Sequence, residues 1–332
     1  MNGIVVEEFK GGSLGKTVLI QANSGELRVR KSVSSRLNRE YGLVRWHSQF
    51  KRLQRYEQLV PNLFPKVLEV GYQAGEYYFE IEYLKDFQDL KSYLFNTTLD
   101  LSEISEIARR VISSASEIHH QLKLETFQGS LGLYYQEEVL QKLDDAMQIK
   151  EFEEFVNYSE FNFNGSRYLN INRHFDWLQE FVAQDLVTSE CLTHGNLTLE
   201  NIMINPKSGI VQFIDPYDEN IVDCPEADFS QILQCSSSHY GYLSGLEPKV
   251  SGPKITLNYV PPKSLMYFDQ VFRGEINKLD YKLNQELIAF FHMSQFIRML
   301  PFKVKANEIE KAKLFFVIAC KLAQELRDTC DY

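Results

Sequence analysis

Several things are scarce in this chain of 332 residues, and each scarcity removes a class of function. No uninterrupted apolar run approaches the ~20 residues that cross a bilayer. The most apolar stretch, Leu314 to Cys320, is short and flanked by lysines, so no membrane span is expected. Positive charge is in deficit: 35 Lys and Arg against 45 Asp and Glu leave a formal charge of −10, which speaks against a nucleic-acid partner. The locally basic segment Arg36 to Arg55 alternates with apolar positions and reads as an amphipathic helix with a solvated face. Paired cysteines are missing too. Cys191, Cys224, Cys235, Cys320 and Cys330 are odd in number, without CxxC spacing or a His–Cys cluster, so neither zinc nor a disulfide framework is expected. Scattered thiols fit a reducing compartment. The opening MNGIVVEEFKGG has no basic stretch leading into an apolar core, so a cytoplasmic location is expected. There is no Gly-x-Ser-x-Gly elbow of a serine hydrolase.

What is present has two characters. Residues 4–31 read as strands separated by turns, with Asn23-Ser-Gly25 as hairpin chemistry. A helical pattern over about 35–58 follows, with Leu37, Tyr41, Val44, Phe50 and Leu53 at helical spacing, ended by Pro61 and Pro65. Two more strands lie near Lys66–Tyr72 and Glu76–Tyr83. After Leu84 helices dominate: Leu101–Leu122 with an apolar stripe, then 135–160, 172–187, a stretch from about 226, and 280–330. Only 200–215 returns to strand, as Asn201-Ile-Met-Ile204 and Gly209–Ile214. The Ser-, Gly- and Pro-rich segment 236–263 reads as a long loop. The expected fold class is α+β, a small β-rich lobe over residues 1–84 and a larger helical lobe over 85–332, with a helical insertion at about 130–188.

Three pieces of chemistry punctuate that outline. Gly11-Gly-Ser-Leu-Gly15-Lys-Thr17 is one residue short of a Walker A loop and runs into a β-branched strand rather than a helix. Gly11, Gly12 and Gly15 are left as either a plain hairpin or a glycine-rich cover for nucleotide phosphates. Lys31 ends a strand and Glu40 starts the next helix, as a phosphate-holding lysine and its orienting carboxylate would; an ordinary solvent-facing pair is the alternative. The strongest piece is His194-Gly-Asn196, with Asn201 five residues on and Asp215 after a short strand pair. An amide and a carboxylate oxygen brought together by a tight hairpin suit a hard ion such as Mg²⁺.

The run His194-Gly-Asn-Leu-Thr-Leu-Glu-Asn-Ile202 with Phe213-Ile-Asp-Pro216 resembles the aminoglycoside phosphotransferase and choline kinase family, which has a protein-kinase-like bilobal fold. The specific part is residues 192–216, although the order of Lys31, Glu40 and a hinge at Glu80–Leu84 extends the likeness over most of the chain. Leu197-Thr-Leu-Glu-Asn-Ile202 and Ile297-Arg-Met-Leu-Pro301 are softly similar to kinase-like proteins of bacterial surface-polysaccharide loci. The resemblance implies ATP or GTP and Mg²⁺ as cofactors. Lys31 would meet the nucleotide phosphates, oriented by Glu40. Backbone from Glu82 to Leu84 would meet the base, Asn201 and Asp215 would hold the metal, and Asp228 would brace the loop. His194, Asn196 and Asp215 are the catalytic candidates.

Asn196 departs from the family, whose loop has an aspartate there. Asparagine can still bond a substrate hydroxyl through its carbonyl oxygen but takes no proton. Losing a general base typically costs about 10²–10⁴ in rate, whereas phosphoryl transfer leans mostly on positioning and charge. The expected function is transfer to a hydroxyl of a small-molecule acceptor (a sugar, amino alcohol or similar). A catalytically silent nucleotide- or partner-binding protein is the alternative. On the acceptor side, Asp218, Glu219 and Asp223 are either acceptor contacts or a polar surface loop. Asp144, Asp145, Glu151, Glu153, Glu154 and Glu160 mix with Phe152, Phe155, Tyr158, Phe161 and Phe163, either as a cage for a cation or as an acidic surface over core aromatics. His119 and His120 are expected to cap or pack; His239 stays unassigned.

Overall fold

The structure, a computed structural model, describes residues 3–9, 15–34, 39–96, 98–121, 123–126, 130–184, 189–217 and 220–330. Its first part is an antiparallel sheet of β1 (Gly3–Phe9), β2 (Lys16–Ala22), β3 (Leu27–Ser34), β4 (Val67–Gln73) and β5 (Glu76–Glu82), in the order β1-β2-β3-β5-β4. The β4–β5 turn uses Ala74 and Gly75, both at positive φ, the backbone that a two-residue hairpin requires. Helix α1 (Arg39–Leu59) packs on this sheet. Trp46 lies against Phe50, Tyr77 and Phe79, and Phe50, Leu53 and Tyr56 are buried. Val44, expected on the apolar stripe, is instead 54% exposed. The expected solvated face is also incomplete, because Arg52 is buried.

The second part is mostly helical. The short strand β6 (Gln88–Asp89) leads into α2 (Leu90–Asn96) and α3 (Leu101–His119). Asp100 caps α3, accepting from the Glu103 amide while Glu103 bonds back to the Asp100 amide, a reciprocal arrangement that satisfies two otherwise orphan donors. The strand β7 (Lys123–Thr126) follows. The insertion region holds α4 (Ser130–Tyr134), a π-helical turn (Tyr135–Leu140), α5 (Gln141–Met147), α6 (Lys150–Val156), the strands β8 (Glu160–Phe163) and β9 (Ser166–Leu169), and α7 (Phe175–Val182). Next come β10 (Ser189–Cys191), β11 (Ile202–Ile204) and β12 (Val211–Phe213), and then α8 (Pro225–Ser236) and α9 (Tyr240–Leu243). The strands β13 (Lys249–Ser251) and β14 (Lys254–Thr256) and the helices α10 (Lys263–Ile276), α11 (Gln285–Lys305) and α12 (Ile309–Cys330) complete the order. This succession of a small sheet with one helix and then a helical body is a bilobal, kinase-like α+β plan.

Two expectations change. Residues 160–169 are a hairpin rather than part of a helical insertion, turned by Asn164-Gly165 at positive φ. Segment 236–263 is not a structureless loop: it forms α9 and the β13–β14 hairpin, whose β14 pairs in parallel with β8 to complete a sheet ordered β13-β14-β8-β9. Among the described residues no helix is long and apolar enough to cross a membrane.

Two apolar clusters fill the interior. One joins α11, α12 and the insertion. The other runs from Phe79 and Ile81 of the sheet through α1 to Leu192, Leu197, Leu199, Ile202 and Phe213, which flank the His194 loop. Apolar residues on both sides of that loop are therefore buried in the same cluster as the sheet that carries Lys31.

Candidate active site

The hairpin of β11 and β12 pairs Ile202 with Phe213 and Ile204 with Val211. The amide of Ile214 continues the ladder to the Asn201 carbonyl at 2.9 Å. Backbone pairing thus sets Asn201 next to the segment leading into Asp215. Asn201 Nδ2 donates to the Asn196 carbonyl at 2.8 Å, so its amide is turned with Oδ1 as the remaining acceptor. Asp215 adopts φ 56°, a left-handed conformation uncommon outside glycine that tends to collect at functional sites.

The loop between β10 and the hairpin is held from beneath by α8. Asp228 accepts the amides of His194 and Gly195, each at 2.8 Å, and faces His119 Nε2 at 3.0 Å. Burial alone would raise its pKa; the hydrogen bond from His119 and the amide of His194 outweigh that and bring it below the usual carboxylate range. Gln231, one turn further along α8, accepts the Leu197 amide and donates to the Gly195 carbonyl. His194 stacks on Phe64. Its Nε2 lies 2.9 Å from the Ile214 carbonyl, while Nδ1 accepts the Asn196 amide at 3.2 Å. These partners specify a neutral ring protonated on Nε2, and burial pushes its pKa down to about 4. His194 is thus a structural member of the loop. Gly195 sits at φ 75°, where an added Cβ would strike the Tyr217 carbonyl and Asn220.

Strand alternation decides the other side of the site. Lys31 pairs in register with Phe79 of β5 and Thr17 of β2, and its ammonium forms an ion pair with Asp215. Gln49 Oε1 of α1 lies 3.5 Å from the same nitrogen, and Trp46 Nε1 donates to the Lys31 carbonyl at 3.3 Å. Gly15 borders this strand, since a Cβ there would come 2.9 Å from the Ser32 carbonyl. Gly11 and Gly12 lie outside the described residues. Glu40 is in the first turn of α1, and its side chain is likewise outside the description. Glu82 closes β5: its amide meets the Lys66 carbonyl and its carboxylate the Lys66 amide, both at 3.1 Å. The Leu84 carbonyl accepts from the Phe87 amide.

On the acceptor side, Asp218 and Glu219 lie outside the described residues. Asp223 keeps 26% of its side chain exposed and is at the same time tied into the fold. It receives hydrogen bonds from the Thr193 hydroxyl and Asn220 and pairs with Arg52. Burial raises its pKa, and the Arg52 charge offsets this in part. In the acidic–aromatic segment, Glu151 and the Phe155 ring face an internal cation, Lys313, at 2.7 and 5.8 Å. Phe152, Phe155 and Phe161 are buried in the core while Glu153 and Glu154 are exposed. His119 packs, as expected, against Asp228 and Tyr281.

Residues missed in the sequence are Arg52, Tyr56, Thr193 and Gln231. A signal existed for the first two. Arg45, Gln49, Arg52 and Tyr56 recur at i, i+4, i+7 and i+11, which is one face of a helix. The Arg45 guanidinium lies 5.0 Å from the Tyr217 ring centre, completing a polar stripe aimed at the segment after Asp215.

No family model matches the chain, and no curated protein matches it. Three solved structures of the kinase domain of Mycobacterium tuberculosis PknI, two of them mutants, are similar to 37% of this chain at 18% identity, with a TM-score of 0.26. The matched part spans 49–51% of those kinase domains. A likeness of that size carries no weight, so the kinase-like plan rests on element order and on the loop itself.

Proposed function

We propose that this chain is a nucleotide- and Mg²⁺-dependent phosphotransferase acting on a hydroxyl of a small molecule, such as a sugar or amino alcohol. The observation that carries the reading is the meeting of Lys31 and Asp215, 184 residues apart in sequence, beside Asn201. The donor set fits the ion. Asn201 has its amide oxygen oriented by the bond to Asn196, and Asp215 is a carboxylate with 37% of its side chain exposed. Magnesium is usually held by one or two protein oxygens together with phosphates. When bound, the metal and nucleotide supply charge neutralisation at the phosphates and the phosphoryl group itself.

The chain's own groups then have distinct tasks. Lys31, now paired with Asp215, would hold phosphate oxygens of a bound nucleotide, and Asp215 would then be available to the metal. Asn201 holds one orientation because its Nδ2 is committed to the Asn196 carbonyl. Asn196 bonds the acceptor hydroxyl through Oδ1 without removing its proton, so transfer is slow rather than absent. Asn196 also motivates a second reading, a nucleotide-binding protein without turnover.

Both readings meet one experiment. Wild type, Asn196→Asp and Asp215→Ala are assayed for acceptor-dependent ATP and GTP consumption, beside thermal shift with Mg²⁺–nucleotide. Transfer by wild type, raised about 10²–10⁴-fold by Asn196→Asp and abolished by Asp215→Ala, is the expected outcome. A shift without turnover in wild type, with turnover gained in Asn196→Asp, selects the silent reading. No nucleotide-dependent shift in any variant removes both.

A further inference from the structure

Arg52 sits about two thirds of the way along α1 with its side chain 1% exposed, unusual for a residue that carries a permanent charge. Its guanidinium reaches across to two chain segments distant in sequence. One nitrogen donates to the Tyr217 carbonyl; the other donates to the Thr193 carbonyl at 2.6 Å and lies 3.4 Å from Asp223. Nε donates to the Tyr56 hydroxyl at 2.8 Å, and that hydroxyl donates in turn to the same Thr193 carbonyl.

These two carbonyls are not arbitrary places. Thr193 immediately precedes His194, and Tyr217 follows Asp215 by two residues. The Tyr217 amide also bonds the His194 carbonyl at 2.9 Å, so Arg52 closes a ring through the start of the loop and the segment after the metal-ligand candidate. Gln49, one helical turn before Arg52, meets Lys31. A single rigid helix therefore touches the lysine end and the transfer end of the site less than one turn apart. Side chains carried by a regular helix hold such a separation more closely than loop residues do.

We infer that Arg52 is a positioning residue. Through its bonds to the Thr193 and Tyr217 carbonyls, α1 sets the distance between Lys31 and the Asn196–Asn201–Asp215 cluster. This rests on the phosphotransferase reading for its catalytic consequence, though not for its geometry. Arg52 touches no reacting atom. Its removal lets the loop and the segment after Asp215 move independently of Lys31, and a displacement of about 1 Å at the transfer end costs on the order of 10²-fold in rate.

The test uses the full chain with Arg52→Lys, which keeps the charge and loses the fork, and with Tyr56→Phe, which removes one hydroxyl and is the milder variant should the first fold poorly. Hydrogen–deuterium exchange is followed in peptides spanning 193–197 and 214–217, with 309–330 as the internal reference. Exchange rising about 10-fold in both site peptides and not in the reference is expected, since local opening is read separately from global unfolding. In parallel, kcat falls about 10-fold or more while the nucleotide KM stays within about threefold, the signature of misplacement rather than lost binding. Unchanged exchange at both site peptides in a folded variant overturns the inference, as does a rise spread equally over the reference. If neither wild type nor Asn196→Asp transfers phosphate, the phosphotransferase reading fails while the exchange result still decides the role of Arg52.

Discussion

In the loop half of the site, backbone amides of His194, Gly195 and Leu197 end on buried side chains of α8. In the lysine half, Lys31 is placed by strand register and one ion pair whose carboxylate is partly open to water, in a sheet whose edge strand exposes Ile4, Val5 and Val6. The difference separates shape from charge. The loop is pre-formed by a dry polar network, in which each bond is costly to lose. The lysine is held by an interaction that water and salt weaken. It also explains why asparagine is tolerated at 196. The loop uses the Asn196 amide, which bonds His194, and its carbonyl, which accepts from Thr198 and Asn201. An Asp–Asn exchange leaves both in place, so it alters the chemistry and spares the scaffold.

The sharpest way to break that contrast is Asp228→Ala. It strands two buried amides and removes the Nε2 partner of His119, and breaking a buried polar pair costs about 3–5 kcal/mol. The urea midpoint should fall accordingly; a change within 1 kcal/mol, on the order of a surface substitution, would show that the loop is not held from α8. Next in size is pH. The folded pKa of His194, about 4, lies below the ordinary value of 6.5. The unfolded chain therefore takes up the proton first, and stability present above pH 6.5 is lost as pH falls toward 4. One ring contributes about 3 kcal/mol across that window. Denaturation at stepped pH checks the slope, and ring NMR checks that His194 stays neutral at pH 5.

How far the sequence led differs between the halves for the same reason. His194, Asn196, Asn201 and Asp215 fall within 22 residues, in one hairpin and the loop that leads into it, so spacing and the apolar runs beside them were enough to foresee their juxtaposition. The five strands of the sheet were legible from alternation and turn residues. Arg52 was not, because charge on an amphipathic helix ordinarily means solvent; only the packing of a second segment reveals that it is covered. The ties of Asp223 to Thr193 and Arg52 were not legible either, because those partners lie 30 and 171 residues away. The Asn164-Gly165 turn signal was present and lost among acidic and aromatic neighbours that fit a helix equally well. The parallel β8–β14 pairing joins segments about ninety residues apart, which local pattern does not encode.

A smaller effect sharpens the comparison with one substitution made twice. Gly195→Ala adds a Cβ against the Tyr217 carbonyl at φ 75°, whereas Gly25→Ala, in the β2–β3 turn at φ 84°, meets nothing within 4 Å. The left-handed strain is common to both, at about 1–2 kcal/mol; the clash is added only in the loop, where a close-packed interior gives little room. Gly195→Ala should therefore be the more destabilising, and equal losses would mean the loop yields as freely as a surface turn.

The smallest stability change is expected where the functional change is largest. Lys31→Met removes an ion pair between a lysine 13% exposed and an aspartate 37% exposed, and pairs open to solvent contribute about 0–1 kcal/mol. The methionine keeps an unbranched apolar stem, and the Trp46 bond to the residue-31 carbonyl is unaffected. Folding stability should then stay within about 1 kcal/mol of wild type, while stabilisation by Mg²⁺–nucleotide disappears, because the cation that links β3 to Asp215 is gone. Loss of stability on the scale of Asp228→Ala would mean the lysine half is held as rigidly as the loop. A nucleotide-dependent shift that survives would remove Lys31 from the nucleotide site and leave its pairing with Asp215 as a strut between the two lobes.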